Sequence, residues 1–180
     1  VKVPVENRVY EENKGWTYAK HLLAHERSGI ALVAHSKVAL GKLRKLTATI
    51  GAPGHRLADD PVFRRKLTEI DVELTALEYT ELRFLAAESA GKAPGVEVSM
   101  LKIRGSEIQQ DLGELLMEAA GPYAMPFSHD WLAEGMGSLI PGGAHLGGLA
   151  AQYFDLRKVS IYGGTNEVQK NIIARAVVGL

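Results

Sequence analysis

The stretch "DDPVFRRKLTEIDVELTALEYTELRFLAAES", Asp59 to Ser89, decides the architecture. Phe63, Leu67, Ile70, Leu74, Leu77 and Phe84 recur at helical steps and lie on one side of a helix of 3.6 residues per turn. Asp59 and Asp60 place acid at the positive end of the helix dipole, and Pro61 is tolerated in a first turn. A helix this long with a single apolar stripe needs other helices to cover it.

Those neighbours can be read outward from it. Upstream, "GAPG" (Gly51 to Gly54) ends a helical stretch expected from about Thr17 to Ile50, with Leu40, Leu43, Thr47 and Ile50 on one face. Downstream, "GKAPG" breaks the chain before a further helix carrying Leu101, Ile108, Leu112, Leu115 and Ala119 on one side. "GPYAMP" (Gly121 to Pro126) ends that helix, and a glycine-rich loop is expected from Phe127 to Gly148. A short helix near Leu149 to Lys158 and a last one from about Asn166 to Val177 complete the chain. At the other end, Val1, Val3 and Val5 alternate like a strand end. The expected fold is all-α: an antiparallel up-down helical bundle with a short strand remnant at the N-terminus.

Composition excludes several classes. The 180 residues suit one domain, and a hydrophobic fraction of 46% supplies a core. With 21 basic and 21 acidic residues the net charge is zero, so no field of one sign draws the chain to nucleic acid. The absence of cysteine removes disulfides, thiolate metal sites and cysteine nucleophiles, and fits a cytoplasmic protein. No apolar run is long enough to span a membrane. The opening "VKVPVENRVYEENKGW" lacks signal-peptide architecture and an initiator methionine, which suggests a piece of a longer protein.

Few residues offer chemistry. His21 and His25 stand four apart, but no third ligand accompanies them, and ordinary helix-face histidines are the expectation; no metal site is expected. Glu26 shares a helical face with Leu22, Leu23, Ile30 and Val33. Burial there would raise its pKa toward that of a general base, with Arg27 beside it; the other reading is a glutamate that reaches past its neighbours into water. The turn "SIYGGTNE" (Ser160 to Glu167) also has two readings. Thr165 or Asn166 caps the last helix, or a backbone bared at two glycines meets an anionic or oxygen-rich ligand with its free N–H groups.

"IYGGTNEVQKNIIARAVVGL" resembles the C-terminal signature of acyl-CoA dehydrogenases, flavoenzymes that make a trans double bond between the α and β carbons of acyl-CoA thioesters. "VKVPVENRVYEENKGWTYAK" resembles the exit strand of that family's middle β-domain and the start of its C-terminal bundle. "DDPVFRRKLTEIDVELTALEYTELR" and "LKIRGSEIQQDLGELLMEAAGPYAMP" are similar to large subunits of its two-subunit enzymes, pimeloyl-CoA dehydrogenases among them. The resemblance implies that residues 1–12 end the β-domain and its linker, and that 13–180 form the helical bundle domain. It also implies that the N-terminal helical domain and most of the β-domain are missing, and that this half alone is inactive.

By the same resemblance FAD is the cofactor, bound at Gly164, Thr165 and Glu167. The Gly163 N–H would donate to the thioester carbonyl, an oxyanion-hole role. Many members carry the catalytic glutamate at the position of Gly163. A branch places it on the first bundle helix before an arginine, which implicates Glu26 with Arg27 in support. The family's arginine-containing motif after that helix is replaced by "GAPGHRLADDPVF", where Arg56 is the nearest counterpart. The implied partners are an acyl-CoA substrate (dicarboxylyl or sterol-derived as well as fatty), an electron-transfer flavoprotein as acceptor, and a homo- or hetero-tetramer, with a distinct small subunit in the latter case. The alternatives are a non-catalytic assembly subunit of a heteromeric enzyme and an acyl-CoA oxidase.

Overall fold

The structure is a computed structural model that describes residues 1–29, 31–92, 95–96, 98–125, 146 and 148–179, without the side chains of 24–28. Its helices are α1 (Gly15–Gly29), α2 (Val33–Thr47), α3 (Pro61–Ser89), α4 (Val98–Ala120), α5 (Leu149–Asp155) and α6 (Asn166–Ile173). A two-residue ribbon, β1 (Gly51–Ala52) with β2 (His55–Arg56), pairs antiparallel where a simple break was expected. The glycine-rich loop expected from Phe127 lies almost wholly outside the described residues.

The sequence signals for α3 act as read. Asp60 caps it, its side-chain oxygen accepting from the Phe63 N–H at 2.8 Å, and Pro61 opens the first turn. Phe63, Ile70, Leu74 and Leu77 are buried, and Leu67 and Phe84 pack partly covered against the same core. Ion pairs set the helix directions. Arg44–Asp71 and Lys37–Glu78, each 2.6 Å, run in opposite sequence order on α2 and α3, as Lys66–Glu118 and Arg104–Glu73 do on α3 and α4. α3 therefore runs antiparallel to both α2 and α4. These pairs are exposed and fix register more than stability.

The helix expected over 17–50 is two helices. Leu32 sits in the left-handed region at φ 49°, and Ala31, fully buried, lies against α4. A Cβ added at Gly105 of α4 would stand 2.6 Å from the Ala31 backbone, so the connection between α1 and α2 is seated where Gly105 has no side chain. The periodic pattern carried no sign of this break, because tertiary contact made it. The strand expected at Val1, Val3 and Val5 does not form either. Residues 1–4 have no regular structure, Val5–Asn7 make a 3-10 turn, and a strand with no neighbour has no ladder.

At the centre lies α4, which packs against α1, α2, α3, α5 and α6. One side buries Leu101, Ile108, Leu112, Leu115 and Ala119, as expected. The other buries Lys102, Gly105, Ser106, Gln109 and Gly113, a small and polar face that the sequence presents like a solvent face.

Candidate functional site

The turn that leads into α6 is built on that second face. Chain geometry comes first: Gly163 and Gly164 both take positive φ, 67° and 85°, values that side chains resist. Among the described residues no acceptor meets the N–H of either glycine. Thr165 then caps the helix, its hydroxyl oxygen accepting from the Val168 N–H at 3.2 Å, while its carbonyl accepts from the Gln169 N–H at 2.9 Å. The capping reading of this turn is thus realised, and it leaves the glycine N–H groups available.

Glu167 is exposed, and its carboxyl is held below the usual range, first by its own backbone N–H and then by the Thr165 hydroxyl. The acid stays charged next to the α6 N-terminus, where the dipole favours it. Ile161 and Tyr162, at 63% and 44% exposure, flank the turn on its open side.

Beneath the turn the environment is polar and closed. Gln169 is 2% exposed and donates through Nε2 to the Gly163 carbonyl at 3.1 Å. A trans peptide sets its C=O and N–H in opposite directions, so this bond turns the Gly164 N–H away from Gln169. The other Gln169 side-chain atom, Oε1, is buried and has no hydrogen-bond partner among the described residues. Asn166 is buried against α4, its Oδ1 accepting from Lys102 Nζ at 2.8 Å and its Nδ2 donating to Ser106 Oγ at 3.1 Å.

Of the residues singled out in the sequence, Gly163, Gly164, Thr165 and Glu167 are brought together in this turn. Glu26 and Arg27 fall within α1, but their side chains are outside the described ones, as is that of His25. Of the face assigned to Glu26, the described residues Leu22 and Leu23 are 57% and 36% exposed, and left-handed Leu32 separates them from buried Val33; Ile30 lies outside the described residues. Arg56 donates to the Thr49 carbonyl at 2.9 Å and braces its own loop. Among the described residues no group of three His, Asp or Glu is placed to hold a metal. Lys102, Ser106 and Gln169 were missed, and Asn166, offered as an alternative cap, is instead the first residue of α6 with its side chain turned to α4. The available signal was the spacing Lys102, Gly105, Ser106, Gln109, a second helical face that differs from a solvent face only in carrying small residues and a single charge.

Comparison with known proteins places these features in a family context. Residues 13–178 match the family described as "Acyl-CoA dehydrogenase, C-terminal domain". Acyl-CoA dehydrogenase FadE26 of Mycobacterium tuberculosis is 30% identical over 187 residues, a match that takes in 100% of this chain and 44% of that protein. The mitochondrial long-chain specific acyl-CoA dehydrogenase of Sus scrofa is 26% identical over 99% of this chain and 38% of its own. A chain of the ChsE4-ChsE5 complex from Mycobacterium tuberculosis superposes with a TM-score of 0.77 at 29% identity, over 99% of this chain and 44% of that one. The chain spans less than half the length of these relatives.

Proposed function

Because this chain belongs to the acyl-CoA dehydrogenase family, we propose that it is the C-terminal part of an FAD-dependent enzyme that dehydrogenates acyl-CoA thioesters between the α and β carbons. The observation that carries this reading is the turn: two adjacent positive-φ glycines at the start of α6 whose N–H groups meet no acceptor among the described residues. The residues present fit a flavin. A bared backbone allows close approach, and a helix N-terminus favours oxygen-rich or anionic groups. Gly164, Thr165 and Glu167 would hold the cofactor. FAD, when bound, supplies the acceptor for the β hydride.

This chain's residues do the rest. The Gly163 N–H donates to the thioester carbonyl and stabilises the negative charge that develops there as the α proton leaves. Glu26 takes that proton, and Arg27 supports its carboxylate. Gly163 has no side chain to serve as base, which favours a base on α1. An electron-transfer flavoprotein would reoxidise the cofactor, and the ChsE4-ChsE5 likeness favours assembly with a distinct second subunit.

The test is anaerobic flavin bleaching. The full-length protein, with its partner subunit where one exists, is mixed with acyl-CoAs as wild type and as Glu26→Gln. Wild type should bleach, and the variant should hold FAD but slow by at least about 100-fold, the range of a lost general base. A variant that bleaches at the wild-type rate would sink the Glu26 assignment. A wild type that stays yellow with every acyl-CoA would favour a non-catalytic assembly subunit.

A further inference from the structure

Lys102 is 0% exposed, yet among the described residues its ammonium has one acceptor, the Asn166 side-chain oxygen at 2.8 Å. An ammonium only donates, so the amide must turn its oxygen toward Lys102. The amide nitrogen then faces Ser106 Oγ at 3.1 Å, and the Ser106 hydroxyl gives its own hydrogen to the Ile103 carbonyl at 2.8 Å. The Ser106 hydroxyl also reaches Asn166 Oδ1, at 3.2 Å, so it is the ammonium, which can only donate, that sets the orientation of the amide. Asn166 follows Thr165 directly and precedes Glu167. The start of α6 is thereby tied to a fixed point on α4.

Fold stability does not explain a cation at this point. Burial strips the ammonium of water and lowers its pKa, with the Glu167 carboxylate acting in opposition. Positive charge next to a helix N-terminus also opposes the dipole. A methionine would fill the space without either cost. The ammonium donates where a methionine cannot, to Asn166, which with Gln169 holds the turn from below.

We propose that Lys102 is a positioning residue for the turn: through Asn166 it sets the height and tilt of residues 163–167 above α4, and so the aim of the Gly163 and Gly164 N–H groups and of the Thr165–Glu167 pair. This rests on the reading of that turn as the flavin-facing surface. Ser106 completes the anchor, and Gln169 fixes the Gly163 carbonyl independently.

The experiment uses the full-length protein with its partner subunit where one exists, as wild type, Lys102→Met, Asn166→Leu, their double variant and Asn166→Asp. Two quantities are read: FAD dissociation, followed by released flavin fluorescence, and amide hydrogen exchange of residues 160–170 in the apoprotein. Lys102→Met and Asn166→Leu should each weaken FAD retention by about tenfold or more, as for one lost charged hydrogen bond. Each should also speed exchange in 160–170 while leaving α2 and α3 at wild-type rates. The double variant should be no worse than Asn166→Leu, because that change alone already removes the Lys102–Asn166 contact along with the one to Ser106. Asn166→Asp keeps an acceptor for the ammonium and should restore FAD retention to within about threefold of wild type. The proposal is overturned if Lys102→Met leaves both quantities unchanged, if exchange rises equally through α2, α3 and α4, or if Asn166→Asp behaves like Asn166→Leu. Should Lys102→Met fail to fold, the Asn166 pair carries the same test. A wild type that holds no flavin refutes the cofactor reading, and the exchange data then still decide the role of Lys102.

Discussion

At Gly164 two demands meet on one residue. Its φ of 85° excludes most side chains, and a Cβ there would stand 2.5 Å from Gln169 Nε2. Gln169 is buried and has little room to retreat without losing the Gly163 carbonyl. Gly164→Ala is therefore expected to cost about 1–3 kcal/mol and to release flavin, seen as a lower thermal midpoint together with free FAD. The glycine pair was legible as a bared backbone in the sequence, and so was Thr165 as a cap. Gln169 and Asn166 were not, since two polar side chains on a short helix look the same whether they face water or a buried lysine. The reading of Glu26 drew on a helical face, and that face is interrupted at Leu32 by packing that no local pattern encodes.

Among the elements, α4 shows how a glycine's meaning depends on what opposes it. At Gly105 an added methyl meets the Ala31 backbone at 2.6 Å; at Gly113 it meets the end of the Leu156 side chain at 3.1 Å. Backbone cannot turn aside, and a leucine methyl can. Gly105→Ala should destabilise by about 3 kcal/mol. At Gly113 the same change should be near neutral, because a gain in helix propensity of about 1 kcal/mol offsets the small repacking. Denaturant midpoints of the two variants should separate clearly; similar values would refute the contrast. The existence of α3, α4 and α6 was legible because each carries an apolar stripe between breakers, although the last helix turns from α to π at Ala174 where a continuous helix to Val177 was expected. The split between α1 and α2 was not, because Gly105, a distant residue, determines it.

For the whole molecule, zero net charge hides a local imbalance. Asp111 lies near Glu73, Glu107 and Glu114, and its pKa is raised, first by burial and then by those carboxylates, with Arg104 opposing. A folded pKa above the ordinary 3.8 means that the folded state holds the extra proton between the two values. Stability therefore falls as pH rises through that window. Asp111→Asn should raise stability at neutral pH by no more than about 0.5 kcal/mol, given solvent screening. That gain should vanish near about pH 3, where the native side chain is protonated as well. Urea titrations at the two pH values read the difference.

The two faces of α4 also differ in when they are covered during synthesis. The helices against its apolar side, α2 and α3, precede it in the chain, whereas the Asn166 and Leu156 that cover Lys102 and Gly113 come later. As the chain leaves the ribosome, the apolar side can be sheltered at once, and the other side must wait in water. Lys102, Ser106 and Gln109 make that wait tolerable, since a hydrated ammonium, hydroxyl and amide do not attract other unfinished chains as bare leucines would. Around Lys102 and Gly113, the polarity of this face would let a half-made chain stay in water until α5 and α6 arrive to cover it.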